Sequence, residues 1–229
     1  MRNLRIKPFA LVTLMAFVLC VVVVSFVTGK QIIGIESAVV IGYKAIPLLV
    51  ALAVFFGTHA WKWRIFRGWL VPFPDLNGTW QGVLTTTWER LDAPQPPPPI
   101  PAILTIKQSF TRISCVMRTA EMTSRSFLAD FWLDGDEQIR MLGYNYRSDP
   151  SPLVGERSPP HSGTAIFEIV GKPVAKLNGR YWTTRGTAGE ITLTLREREL
   201  VEEFPHDLPA HPVSGKRKQT VRFGTELGT

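Results

Sequence analysis

The chain has 229 residues, a formal net charge of +7 and a hydrophobic content of 45%. Its two cysteines exclude a disulfide-stapled scaffold, and its four histidines, at 59, 161, 206 and 211, are scattered without metal-ligand spacing. Residues 1–74 hold eight Lys or Arg and one acid, residues 75–198 fourteen basic and thirteen acidic residues, and residues 199–229 four and five. A nucleic-acid-binding domain needs its basic excess on the domain itself. Here the excess lies in the first third of the chain, which argues against DNA or RNA as a partner.

Phe9 to Thr28 is an uncharged run of twenty residues. As a helix it rises about 30 Å, the thickness of a hydrocarbon core. A second run, Ala45–Trp61, gives about 25 Å, with Pro47 placed for an early helical turn. Arg2, Arg5 and Lys7 would suit a signal peptide. The first run is too long for that, no small-x-small cleavage site follows it, and a second span comes next.

Three cations precede the first span, Lys62, Arg64 and Arg67 follow the second, and the loop between holds Lys30, Lys44 and Glu36. The positive-inside rule then places both ends in the cytoplasm, and the basic flanks favour anionic lipid. Trp61, Trp63 and Trp69 beside the cations fit an interfacial aromatic belt. Ala16 with Cys20, and Ala53 with Gly57, are small residues at helical spacing and are candidates for helix association in the bilayer. Cys20 lies in the first span and Cys115 in a strand, so a disulfide between them is not expected.

Pro72 and Pro74 end the second helix and its flank, and Asp75-Leu76-Asn77-Gly78 supplies turn chemistry. Eight strand-like segments follow: Thr79–Trp88, Ala102–Ser109, Arg112–Thr119, Arg125–Leu133, Glu137–Arg147, Gly163–Val170, Ala175–Thr184 and Glu190–Glu197. Leu104 and Ile106 alternate with Ile103, Thr105 and Lys107. Ile191, Leu193 and Leu195 alternate with Thr192, Thr194 and Arg196. Asp134-Gly135-Asp136 and Gly186-Thr187-Ala188-Gly189 suit hairpin turns.

Eight short antiparallel strands close readily into a small barrel that has no free edge. The expected architecture is a two-helix transmembrane hairpin (residues 1–74) and an all-β domain (75–198), a lipocalin- or avidin-like up-and-down β-barrel. A tail (199–229) loses the alternation, and its Lys216-Arg217-Lys218 reads as a solvated end. Asp92–Pro101, with six prolines, and Asp149–His161 are long connections suited to contacts or a lid.

Catalysis is not expected. There is no Gly-rich phosphate loop with a Lys and no nucleophile elbow. Asp134, Asp136 and Glu137 cluster at a hairpin tip, where they are solvated. Asn77-Gly78-Thr79 is a glycosylation sequon by pattern, on the wrong side of the membrane. No cofactor and no metal are implied.

Gly78-Thr79-Trp80, opening the first strand, is a lipocalin- and avidin-like feature: a small residue for close approach, then a Trp that plugs a barrel end. Two membrane helices, then Asp75-Leu76-Asn77-Gly78-Thr79-Trp80, then eight strands resemble a family of bacterial anti-phage effectors. These are the two-transmembrane, β-rich effectors encoded beside cyclic-oligonucleotide synthases in CBASS defence. Further strings match: Ile106–Phe110, Thr119–Ser126, Tyr144-Asn145-Tyr146, His161–Ala165 and Gly179–Arg185. The resemblance covers roughly residues 9–197. It implies a barrel that binds a cyclic dinucleotide, ligand-induced self-association, disruption of the inner membrane and abortive infection, with the barrel in the cytoplasm and no enzyme activity.

A cyclic dinucleotide presents two phosphates and two flat bases, so its receptor needs cationic or hydroxyl donors and aromatic faces. Candidate ligand contacts are Ser124, Arg125, Ser126, Tyr144, Tyr146, His161, Thr164, Tyr181, Thr183 and Arg185, all near strand ends. Each has a structural alternative. Tyr181 can pack in the core or rim, Arg185 can pair with Glu190, and Arg125 can be a solvated strand residue. His161 can cap a loop, and Ser124 and Ser126 can satisfy backbone groups. Two other functions fit the layout: a membrane-anchored lipocalin-like carrier of an apolar ligand, and a non-catalytic partner-docking module.

Overall fold

The computed structural model of the chain describes residues 6–87, 98–150 and 158–212. Arg2, Arg5, Lys216-Arg217-Lys218 and most of the two long connections lie outside the described residues. The apolar runs form helices α1 (Ile6–Thr28) and α2 (Ile35–Thr58), about 34 and 36 Å long. α2 begins well before the expected Ala45. Glu36 sits in its first turn, where the helix dipole favours an acid, and Lys44, the charge that bounds the apolar run and is expected in the loop, lies inside the helix. Pro47 is consequently an internal proline, not an early-turn one. Trp61 lies beyond α2, in a 3-10 turn (Ala60–Lys62) that leads into a second (Arg64–Phe66).

α1 stops at Gly29, whose φ of +63° is the left-handed conformation that a helix C-terminus commonly adopts. Ser37 Oγ then accepts the Ile33 and Gly34 N–H groups at 3.1 Å and starts α2. The seam between the helices is narrow. Cys20, Ile41 and Ala45 are fully buried in it, and Gly42 lies against the Phe17 ring. The remaining surface is apolar and open, with Phe26 at 87% and Ile35 at 85% exposure. Such a surface is costly in water, and both helices are long and apolar enough to cross a bilayer. Of the four small residues, Cys20 is already consumed inside this hairpin, Ala16 and Gly57 are half-buried, and Ala53 is exposed.

The β domain is a closed barrel of eight strands in sequence order. They are β1 (Gly78–Thr86), β2 (Ile100–Gln108), β3 (Ile113–Arg118), β4 (Met122–Asp134), β5 (Ile139–Pro150), β6 (His161–Val170), β7 (Lys176–Thr183) and β8 (Ala188–Glu197). Every neighbour is antiparallel, and β1 closes on β8 through Trp80↔Leu195 to Thr86↔Gly189. Trp80, Leu104, Ile106, Leu142, Phe167, Leu177 and Leu193 fill the interior. Gly78 has a φ of +129°, and a Cβ there would lie 2.5 Å from the Glu197 carbonyl, so this position requires glycine. The Trp80 indole N–H donates to the Leu76 carbonyl at 3.0 Å, and the Gln108 amide holds Leu76 N–H and the Pro74 carbonyl. These bonds seal the end of the barrel where the chain enters.

That end also meets the helices. The β2–β3 turn inserts Phe110 against Phe9 of α1 and Phe56 of α2, with ring centroids 5.9 and 5.0 Å away. Phe73 bridges inward, 5.7 Å from Phe110 and stacked at 5.5 Å on Phe131 of β4. The opposite end carries the β3–β4 and β7–β8 turns and the two long connections.

Beyond β8 the chain forms a strap over the outer wall. Thr79 Oγ1 donates to the Glu199 carbonyl at 2.7 Å and accepts Val201 N–H at 3.0 Å. Thr105 Oγ1 donates to the Val201 carbonyl at 2.9 Å. Both threonines point outward and both are buried. Arg196 grips both oxygens of Asp207 at 3.0–3.1 Å. The first part of the tail is thus packed against the barrel, despite having no strand pattern of its own.

Candidate ligand site at the open end of the barrel

A cavity of about 370 Å³ opens at the end of the barrel remote from the helices. The size suits a small-molecule site. Its floor is apolar, with Leu84, Met117, Tyr144, Ala165 and Ile191, and its rim is polar. Period-two alternation fixes the assignment. Tyr144, Tyr146 and Ser148 share the inner face of β5, and Tyr181 and Thr183 that of β7. A Cβ on Gly163 would lie 2.5 Å from the Tyr146 hydroxyl, so the glycine makes room for that phenol.

Seven of the ten expected contacts line the cavity: Ser124, Tyr144, Tyr146, His161, Tyr181, Thr183 and Arg185. Three do not. Arg125 is on the outer wall, 3.8 Å from Asp149 and 61% exposed. Thr164 is one position out of phase with the inward Ala165 and donates to Asn145 Oδ1 at 2.8 Å. Ser126 lies below the cavity, where its hydroxyl accepts Cys115 N–H at 2.9 Å and replaces a backbone partner beside the β4 bulge.

Arg185 does not pair with Glu190. The register sets Glu190 opposite Arg180, and the Arg185 guanidinium donates to Ser158 Oγ at 3.0 Å, bridging the β7–β8 turn to the β5–β6 connection. His161 Nδ1 lies 3.1 Å from the Pro159 carbonyl, so the ring closes the loop and lines the cavity at once. Thr183 and Thr187 share a hydrogen bond of 2.7 Å beneath Arg185.

Burial pushes the Tyr144, Tyr146 and Tyr181 phenols above their ordinary range, so they are neutral hydroxyls at physiological pH. The same desolvation holds the His161 imidazole below its usual value, with the nearby Arg185 adding to the effect and the Pro159 bond opposing it. Cys115, buried deeper, is pushed up to about 12 and is not a nucleophile.

Two lining residues carry no sequence signal for the site. Glu121 comes from the β3–β4 turn, and His211 is delivered to the mouth by the strap. The two meet at 3.4 Å, His211 Nδ1 to Glu121 Oε2, with only 16% and 12% of their side chains exposed. Among the described residues no cluster of His, Cys, Asp or Glu could hold a metal ion.

The chain is 29% identical over 133 residues to CD-NTase-associated protein 15 of Staphylococcus schleiferi, a match that takes in 58% of this chain and 66% of that protein. The shared stretch therefore spans just under two thirds of that relative's length. Residues 71–195, which run from the aromatic joint into β8, match the family described as "Cap15, cyclic dinucleotide receptor domain". With a closed barrel, a tyrosine-lined mouth and more than half of its length inside that match, the chain belongs to the Cap15 family of CBASS effectors.

Proposed function

We propose that the barrel is the sensor of a membrane effector: it captures a cyclic dinucleotide at its open mouth, self-associates, and the gathered helices breach the inner membrane. The observation that carries this reading is the joint presence of Arg185, neutral tyrosine hydroxyls and two tyrosine faces in one cavity of a cyclic dinucleotide receptor family member. Arg185 supplies positive hydrogen-bond donors for phosphate, His161 adds one once a bound anion favours its protonated ring, and Tyr146 and Tyr181 supply stacking faces for bases. No covalent step is needed, so the protein acts as a receptor and not as an enzyme.

Assembly follows from linkage. A ligand shifts the balance between dispersed and associated barrels only by its difference in affinity for the two. The aromatic joint at Phe110 and Phe73 transmits the change in barrel association to α1 and α2. With basic flanks on the cytoplasmic side, the mouth faces the compartment in which a nucleotide messenger is made.

The test is calorimetry of the full chain in lipid nanodiscs against a panel of cyclic dinucleotides, paired with dye leakage from anionic liposomes. Binding by one or more members, with leakage dependent on that ligand, is expected. A folded barrel that binds none of them removes the sensor reading and leaves the docking module. The apolar floor alone would suit a carrier of apolar ligands, and the Arg185 guanidinium at the rim is what favours an anionic ligand instead.

A further inference from the structure

The mouth of the cavity is electrically polarised. Arg185 and His161 stand on the β6–β7 side, with the Ser158, Thr183 and Thr187 hydroxyls beside them. Glu121, the acidic side chain among the described lining residues, stands at the β3–β4 turn. In a closed eight-stranded barrel, β3–β4 and β7–β8 lie four strands apart, across the mouth from one another. A dianion entering this mouth is drawn to the Arg185 guanidinium, while on the other wall Glu121 already faces His211 at 3.4 Å. Its phosphates therefore settle toward Arg185, and a nucleobase is presented to Glu121.

We propose that Glu121 reads that base, selecting a cyclic dinucleotide in which at least one nucleobase carries an exocyclic amino group. The proposal rests on the receptor reading given above. An ionised carboxylate accepts hydrogen bonds and donates none. Adenine N6, cytosine N4 and guanine N2 offer amino donors, whereas uracil shows two carbonyl oxygens on either side of a single N–H. Facing a carboxylate with carbonyl lone pairs is repulsive, and the low exposure of the pair leaves little water to screen it.

His211 is the positioning residue. It meets the carboxylate at the mouth, and the strap that carries it over the outer wall is fastened through Thr79 and Thr105. The receptor domain as matched ends at residue 195, so the residue that aims Glu121 is supplied by chain beyond it.

The test uses the full chain in nanodiscs with cyclic diuridylate, cyclic diadenylate and the mixed uridylate–adenylate ring, titrated calorimetrically into the wild type, Glu121→Gln and His211→Ala. The wild type should bind the amino-bearing rings at least about tenfold more tightly than diuridylate. Glu121→Gln, nearly isosteric and neutral, should erase that ratio and bind diuridylate more tightly than the wild type does. His211→Ala should narrow the ratio while keeping binding of diadenylate. An unchanged ratio in Glu121→Gln overturns the base-reading role and leaves the receptor reading intact. Absence of binding by the wild type to these rings and to the guanine- and cytosine-bearing members of the panel overturns the receptor reading and this proposal with it.

Discussion

Phe110 donates its backbone N–H to the Gly57 carbonyl at 3.0 Å, tying the tip of the β2–β3 hairpin to the last turn of α2. Gly57 is near the end of its helix, where carbonyls lack intrahelical partners. The barrel satisfies one of them and in the same step drives an aromatic ring between the two helices. Phe110 is 8% exposed, so its ring is buried by the joint and not by the barrel core.

Replacing Phe110 by Ala should therefore separate sensing from output. Truncating a well-buried phenylalanine costs about 3–5 kcal/mol in a sealed core, but here that loss falls on the contact between helices and barrel. The cavity is at the far end of the barrel and its lining is untouched. Calorimetric affinity for the activating ring should be unchanged, and liposome leakage should be lost. Parallel loss of binding would show that the joint also supports the barrel.

Arg185→Ala should weaken cyclic dinucleotide binding by about tenfold or more, the usual value of a hydrogen bond to a charged group. Arg185 is exposed and donates to Ser158 with a geometry that only part of its guanidinium uses, so donors remain for a phosphate. Arg185→Lys keeps the charge but not the fork and should recover only part of the loss. Titration at several salt concentrations, with melting temperature as the fold control, distinguishes a lost phosphate contact from a lost structural bridge.

The fold was legible where the chemistry is periodic. Leu104 and Ile106 against Ile103 and Thr105 announced a strand with two faces, and the strand ends fell within a few residues of the expected ones. Alternation also grouped Tyr144 with Tyr146 and Tyr181 with Thr183, although it could not say which face turns inward. Arg125 and Thr164 were misplaced for that reason: each is one residue out of phase with the inner wall. Glu121 and His211 were not legible. One sits in a three-residue turn and the other in an irregular strap, and neither segment has a period that ties it to a cavity.

The site should respond to pH through His161. Burial lowers its pKa below the unfolded value of 6.5, so the folded state favours the neutral ring. The stability this gives is present above pH 6.5 and is lost as the pH falls through the folded pKa. A bound phosphate reverses the preference, because an anion beside the ring favours the imidazolium. Ligand binding should then take up a proton, and affinity should rise as the pH is lowered from 8 to 6. Calorimetry in buffers of different ionisation enthalpy measures that proton directly, and His161→Gln should flatten the slope.

Thr79→Val tests whether the strap is structural. The Thr79 hydroxyl is fully buried on the outer wall, donating to Glu199 and accepting from Val201. Valine keeps the shape and leaves a carbonyl and an N–H without that partner, a loss of about 1–3 kcal/mol for buried groups. The strap should lift locally, with hydrogen exchange faster at residues 199–211 while the exchange of β5 to β7 stays as slow as in the wild type. Because His211 travels with the strap, the variant should also lose part of the discrimination between amino-bearing and uracil-only rings. Slow exchange in the strap of Thr79→Val would mean that Thr105 and the Arg196–Asp207 pair hold it without help.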